Sequence, residues 1–327
     1  MMRLPPFRYL APKTAREAAK MLADHGPDAM AVAGGTDLFP NMKRRQFEPK
    51  VLVGLRGLDE SHAVRGSAED GVSIGGLVTL TSVSDHDLLR SAYPAISRAA
   101  GLVSSPLLRN MGTIGGNLCI DTRCNYYNQN YEWREAIHFC MKKDGEICWV
   151  APSSPRCWAI SSSDTAPVFI ALGAEVTLTG PAGERRIPVE SLYRHDGMRF
   201  LEKRPDEILT EIHLPRVNGT RATYLKLRRR DSIDFPILGV AAALQRAGDG
   251  TVERARIVLT AVESAPVRAE KAEALLVGKK LTKELIDEAA EIAYRPAKPL
   301  DNTDLTNAYR KKMARVYVAR ALNELSV

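Results

Sequence analysis

Apolar and polar positions switch between helical and strand-like spacing along the first third of the chain, and the switches mark its elements. Thr14-Ala15-Arg16-Glu17 has capping-box form, with the Thr hydroxyl placed to accept from the backbone three residues on while Glu17 reaches back. Ala18, Ala19, Met21 and Leu22 then line one helical face. Asp24-His25-Gly26 ends that helix, since glycine adopts the left-handed cap freely. Ala29 to Ala33 is a short apolar run that predicts a strand, and Gly34-Gly35-Thr36-Asp37-Leu38 turns the chain sharply into a helical turn. Val51-Leu52-Val53 and Val72-Ser73-Ile74 predict further strands. Leu88 to Leu108 predicts helix in two pieces, broken at Pro94 and again near Pro106. A glycine-rich loop, Arg109 to Asn117, follows.

From Cys119 to about Ser163 the pattern is lost. All three tryptophans fall there (Trp133, Trp149, Trp158), as do three of the ten tyrosines. Weak periodicity and frequent turn residues predict a loop-rich insertion held by something other than regular secondary structure. Regular patterning resumes with Ala166 to Leu172 and a strand at Glu175 to Leu178. Arg216-Val217-Asn218-Gly219 reads as a domain boundary. Beyond it, strands are expected at Thr223 to Leu227, Ile237 to Leu244 and Ala255 to Val262. Helices are expected at Ala269–Leu276, Lys283–Tyr294 and Thr306–Leu322. Three strands followed by three helices predict an α+β second domain. The expected division is therefore 1–217, with the insertion at about 119–163, and 218–327.

Composition adds limits. A chain of 327 residues, 45% hydrophobic and 26% charged, is long enough for two domains and a core that needs no disulfides. No apolar run approaches the 18 residues of a membrane span, and Met1-Met2-Arg3-Leu4-Pro5-Pro6 lacks the apolar core of a signal peptide. The expected location is cytoplasmic. Net charge is +7, with short basic runs at Lys43-Arg44-Arg45 and Arg228-Arg229-Arg230. That balance does not mark a nucleic-acid binder; such runs are solvated surface, or face an acidic partner or a phosphate-bearing ligand.

Candidate chemistry lies in two places. Gly34-Gly35 follows a strand, and Gly115-Gly116-Asn117 offers a second loop of the same kind. Glycine lets backbone N–H groups approach a phosphate, and Thr36 and Asn117 add side-chain donors, so the pair could clamp a pyrophosphate. The spacing fits neither Gly-x-Gly-x-x-Gly nor a P-loop, and either loop alone is equally explained as a structural turn. The second place is the insertion. Cys124, Cys140, Cys148 and Cys157 are separated by 15, 7 and 8 residues, which is neither a Cys-x-x-Cys zinc pattern nor a ferredoxin pattern. Four thiolates suit a cubane cluster, zinc would accept the same four, and incidental burial remains open. His138 is close to Cys140, but a lone histidine is more often a surface residue.

Ala33-Gly34-Gly35-Thr36-Asp37-Leu38 and Arg109-Asn110-x-Gly112-Thr113-Ile114-Gly115-Gly116-Asn117 resemble the two flavin-phosphate motifs of the flavoprotein subunits of xanthine and carbon monoxide dehydrogenases. Ser163-Asp164-Thr165-Ala166-Pro167 resembles the Asp-x-x-Pro segment that closely follows the second motif in that family. Lys226, within Tyr224 to Arg229, resembles a lysine near the flavin. The resemblance implies a two-part α/β FAD-binding domain and a smaller α+β C-terminal domain. It also implies non-covalent FAD contacted by Ala31, Val32, Ala33, Gly34, Gly35, Thr36, Asp37 and Leu38, by Thr113, Ile114, Gly115, Gly116 and Asn117, and by Val103, Asp164 and Lys226.

Here Asn117 and Asp164 lie 47 residues apart, because the cysteine-bearing segment intervenes. That departure resembles one branch of the family, the β subunit of 4-hydroxybenzoyl-CoA reductase. It implies a 4Fe–4S cluster on Cys124, Cys140, Cys148 and Cys157, with Cys119 as a small core residue. The resemblance further implies a molybdenum-binding large subunit, a 2Fe–2S small subunit, a dimer of heterotrimers, and ferredoxin as donor for reductive dehydroxylation of 4-hydroxybenzoyl-CoA to benzoyl-CoA. Two rival expectations stand beside it. One is a xanthine- or carbon monoxide-dehydrogenase-like hydroxylase passing electrons outward through FAD to NAD or a quinone. The other is a zinc-stapled structural subunit without flavin.

Overall fold

The structure, a computed structural model, describes residues 3–326. Three short strands open it: β1 (Arg8–Leu10), β2 (Ala29–Val32) and β3 (Val51–Gly54). They pair in parallel in the order β1-β3-β2. The helix Ala15–His25 makes the crossover from β1 to β2, as parallel strands require. Its Thr14 hydroxyl accepts from Glu17 N at 3.1 Å, while the Glu17 carboxylate accepts from Lys13 N at 2.7 Å, one residue earlier than a strict capping box. Gly26 ends it at φ +52°. Ala15, Ala18, Ala19 and Leu22 are buried against Val51, Val53 and Leu58.

A five-stranded antiparallel sheet forms the second part, in the order β4 (Val64–Ser67), β5 (Gly71–Gly75), β8 (Ile208–Leu214), β6 (Glu175–Gly180), β7 (Gly183–Pro188). The segment Leu88 to Leu108 departs from the expected two pieces. It forms parts of helices Asp87–Ala92, Pro94–Gly101 and Pro106–Arg109, with both prolines opening helices rather than breaking them. Helix Leu80–Asp85 was not expected.

The third sheet runs β12 (Val267–Arg268), β11 (Val252–Thr260), β10 (Leu238–Arg246), β9 (Thr220–Leu227), so a two-residue strand joins the three expected. Helices Glu270–Leu276, Lys283–Ala293 and Asn307–Ser326 share one core with this sheet. Its other side contributes Tyr224, Ala241, Ala243 and Val258 to the core that holds Ile96 and Phe169. That is why residues 238–244 are all buried and lack alternation. The turn into β9 carries Asn218 at φ +37° and Gly219 at φ +70°.

The insertion has one helix, Tyr131–Ala136, among the described residues. Arg123 and Ile160 exchange backbone hydrogen bonds of 2.9 and 2.8 Å, closing its neck. Gln46 Nε2 donates to Tyr127 O, and Arg134 donates to Arg44 O and Arg45 O at 3.1 Å. Asn302 accepts from Asn125 N through its backbone carbonyl and donates from its amide to Trp158 O at 2.7 Å. Ser161 N donates to Glu263 O, and Gly197 N to Cys157 O. The segment is thus wedged against four separate places, around residues 44–46, 197, 263 and 302, which replace the missing secondary structure.

Candidate functional site

The two glycine segments meet. A Cβ on Gly34 would lie 1.9 Å from Met111 O, so the first loop packs directly on the chain leading into the second. Gly35 sits at φ +71° with the Phe39 ring where its Cβ would be. A Cβ on Gly115 would lie 2.7 Å from Gly76 O. Chain packing therefore accounts for these three glycines without a ligand. At Gly116 the added Cβ would meet only Thr113 Oγ1. The expected glycine-rich loop is partly a one-turn helix, Ile114–Leu118, capped by the Thr113 hydroxyl, which accepts from Gly116 N at 3.1 Å. Ala31 and Val32 end β2, and Ala33 to Asp37 connect it to helix Leu38–Lys43.

Asn117 Oδ1 accepts from Ser163 Oγ at 2.8 Å, Thr165 Oγ1 at 2.7 Å and Thr165 N at 3.3 Å. The second glycine segment and the Asp164 segment are thus adjacent, and the insertion leaves and returns at one point. Asp164 is buried, its carboxylate accepting from Tyr224 OH at 2.8 Å and Lys226 Nζ at 2.9 Å. Burial pushes the Asp164 carboxyl upward, against the pull of Lys226 and the Tyr224 hydroxyl. Lys226 Nζ also donates to Leu102 O at 3.0 Å, and Arg109 Nη1 donates to the neighbouring Val103 O at 2.8 Å. All sixteen residues expected to contact flavin thus fall on segments that pack against one another. Arg123, from the neck of the insertion, pairs with Asp37 and lies 4.3 Å from the centre of the Phe235 ring.

Cys124, Cys140, Cys148 and Cys157 line one small cavity of about 10 Å³ together with Tyr127, Lys142 and Trp149. All four are buried. Burial pushes the Cys124 thiol up to about 12 and the Cys157 thiol up to about 11, and raises Cys140 as well. Backbone N–H groups point back at three of the sulfurs: those of Tyr126 and Tyr127 at Cys124, of Lys142 and Lys143 at Cys140, and of Ala159 at Cys157. The Lys142 ammonium donates to Asp121 Oδ1 at 2.7 Å, to Gly197 O at 2.6 Å and to the Thr122 hydroxyl. Among the described residues, no three His, Cys, Asp or Glu side chains are gathered closely enough to hold a metal ion. Cys119 packs on the main core instead. His138 is exposed and, with Phe139, holds left-handed backbone at φ 59° immediately before Cys140.

A second cavity lies elsewhere, a groove of about 550 Å³ open to solvent between Ser91–Arg98, Pro215–Thr223 and the C-terminal helix, and none of the expected site residues lines it. Three contributors were not anticipated from sequence. Tyr224 shares a face of β9 with Lys226, so its two-residue spacing was a usable signal. Arg123 and Lys142 gave none, because their partners are remote in sequence.

The profile described as “FAD binding domain in molybdopterin dehydrogenase” matches residues 5–217, and “CO dehydrogenase flavoprotein C-terminal domain” matches 222–325. The chain is 30% identical to the carbon monoxide dehydrogenase medium chain of Hydrogenophaga pseudoflava, over 98% of this chain and 96% of that one. It is 33% identical to the aldehyde oxidoreductase FAD-binding subunit of Escherichia coli, over 83% and 86%. Among solved structures, carbon monoxide dehydrogenase from Oligotropha carboxidovorans superposes with a TM-score of 0.81 at 30% identity, covering 98% of both chains. No helix among the described residues is long and apolar enough to cross a membrane. With family profiles spanning both of its parts and relatives matched end to end, the chain belongs to the FAD-binding medium subunits of the molybdenum hydroxylases.

Proposed function

We propose that this chain is the FAD-holding, electron-transferring subunit of a molybdenum hydroxylase of the carbon monoxide, xanthine or aldehyde dehydrogenase type. The observation that carries the reading is the meeting of Gly34–Leu38, Thr113–Asn117 and the buried Asp164–Lys226 pair, in a chain with full-length relatives of those activities. Residues Ala31 to Leu38 and Thr113 to Asn117 would hold the pyrophosphate and ribityl region. Val103, Asp164 and Lys226 would meet the remaining edges. Bound there, FAD supplies a centre that exchanges electrons, while the protein positions it and tunes its surroundings. The partners in this reading are a molybdenum-binding large subunit and a 2Fe–2S small subunit, assembled as a dimer of heterotrimers. Electrons leave outward to NAD or a quinone. Gly116→Val is the test, since the added Cβ would meet no backbone, only the Thr113 hydroxyl at 2.9 Å. Flavin content should fall several-fold in folded protein, and a wild-type flavin content would remove these loops from the site.

A second reading is favoured by the four cysteines around one cavity. Four buried sulfurs support a 4Fe–4S cluster: burial raises three of the thiols, and backbone N–H groups facing those three pull the other way, toward the thiolate form a cluster needs. A zinc ion, with bonds of about 2.3 Å, needs its sulfurs drawn together, whereas each iron of a cubane takes one terminal thiolate and the four are spread. In this reading electrons run inward, from ferredoxin through the cluster and FAD toward molybdenum, for the dehydroxylation of 4-hydroxybenzoyl-CoA. Iron, sulfide and zinc analysis across the five Cys→Ser variants tests it. About four irons, lost on changing Cys124, Cys140, Cys148 or Cys157 but kept with Cys119→Ser, supports the cluster. One zinc, or no metal, removes it and leaves the first reading standing.

A further inference from the structure

We infer that Arg123 is a positioning residue of the flavin site, supplied by the cysteine-bearing insertion, which neutralises Asp37 so that the first glycine loop can accept a diphosphate. The inference rests on the flavin reading above. Asp37 ends the segment Gly34-Gly35-Thr36-Asp37, and a bare carboxylate there would repel any anionic group the loop holds. In the structure one Asp37 oxygen pairs with the Arg123 guanidinium, and the other accepts from Asn41 Nδ2 at 3.2 Å. The Arg123 side chain is 12% exposed and that of Asp37 31%, so solvent screens the pair only in part.

Two further contacts fix the guanidinium. Arg123 exchanges both backbone hydrogen bonds with Ile160 across the neck of the insertion. Its guanidinium also lies over the Phe235 ring, on the segment between β9 and β10. The residue therefore touches the insertion, the first glycine loop and the C-terminal part at once, and it directly precedes Cys124. Integrity of the insertion and charge balance at the glycine loop are thereby linked through one side chain.

The experiment is FAD titration of deflavinated full-length chain, followed by flavin fluorescence, for wild type, Arg123→Gln, Arg123→Lys, Asp37→Asn, the Arg123→Gln/Asp37→Asn double variant and Gly116→Val. Arg123→Gln is expected to weaken FAD roughly ten- to a hundredfold, with Arg123→Lys recovering part of the loss. In the Asp37→Asn background the same change should cost less than about threefold, because no carboxylate remains to neutralise. An equal loss in both backgrounds, or no loss with Arg123→Gln, overturns the inference. So does a loss accompanied by protease sensitivity of the insertion, which marks a purely structural role. Unchanged affinity in Gly116→Val would instead overturn the loop assignment itself, and this inference with it.

Discussion

Lys142 offers the sharpest test of how the insertion is held. Its side chain is 6% exposed and its ammonium donates to Asp121, Thr122 and Gly197, while the rings of Tyr127 and Phe200 lie 4.8 and 5.5 Å away. Lys142→Met keeps most of the apolar stem and removes the charge. The Asp121 carboxylate, 11% exposed and with Oδ2 already lacking a partner, is then left without its cation. Breaking a buried pair from one side costs about 3–5 kcal/mol, and the small exposure of both groups places the expected value near the lower end, about 3 kcal/mol. The loss should fall on the insertion, because two of the three acceptors, Asp121 and Thr122, lie at its start. Hydrogen exchange reads this directly. Amides bonded within the insertion, such as Met141 N to Ile147 O and Tyr127 N to Cys124 O, should lose about two decades of protection, while β10 and β11 keep theirs. Adding Asp121→Asn should restore part of it by removing the stranded charge. Protection within threefold of wild type, or an equal loss across β10 and β11, would refute the reasoning.

Tyr224→Phe removes the hydroxyl that donates to fully buried Asp164, and should lower stability by about 1–3 kcal/mol in denaturant titration with the chain still folded. Glu263 sets an acid limit. Burial alone would raise its pKa from 4.5, but hydrogen bonds from His195, Arg156 and Ala265 N together bring it below that value. A depressed folded-state pKa contributes stability that is present above the unfolded value and is lost as pH falls through the folded one. Unfolding free energy measured from pH 6 to pH 3 should therefore fall below about pH 4.5, and Glu263→Gln should flatten part of that slope. An unchanged slope in the variant would show that other carboxylates carry the acid transition.

Local chemistry explains what was legible. Thr14 and Gly26 bound the first helix because a cap hydroxyl and a left-handed glycine act within a few residues. The strands β2, β3, β10 and β11 were visible as apolar runs. By contrast β7, with the sequence Gly-Glu-Arg-Arg-Ile-Pro, is an edge strand whose polarity hides it, and β1 has only three residues. Helix Ile114–Leu118 was hidden by its two glycines, whose low helix propensity is overridden by the Thr113 cap and by packing on Gly76 and Val78. The clustering of cysteines in sequence was legible, and their convergence on one cavity agrees with it. The anchors of the insertion were not, because Gln46, Asn302 and Glu263 approach it from positions that no local pattern connects.

Those anchors bear on how the scaffold accommodates the segment between Cys119 and Ser163. An insertion costs little when its ends already lie together, because loop-closure entropy grows only slowly with length. Here the ends are fixed twice, by Asn117 accepting from Ser163 and Thr165 and by the Arg123–Ile160 backbone pair. The second glycine segment and Asp164 therefore keep one shared geometry whatever the loop contains. A loop free to hang in solvent would need nothing more. This one also packs Arg134 onto the Arg44 and Arg45 carbonyls, Arg156 onto Glu263, and Asn125 onto Asn302, so ordering it is coupled to both halves of the chain. The basic run Lys43-Arg44-Arg45 is accordingly, in part, a docking edge for the insertion through its carbonyls. Cys124, Cys140 and Cys157 pack with Tyr127 and Ala159 at the centre of this wedge, so the segment has a small core of its own as well as anchors on both halves of the chain.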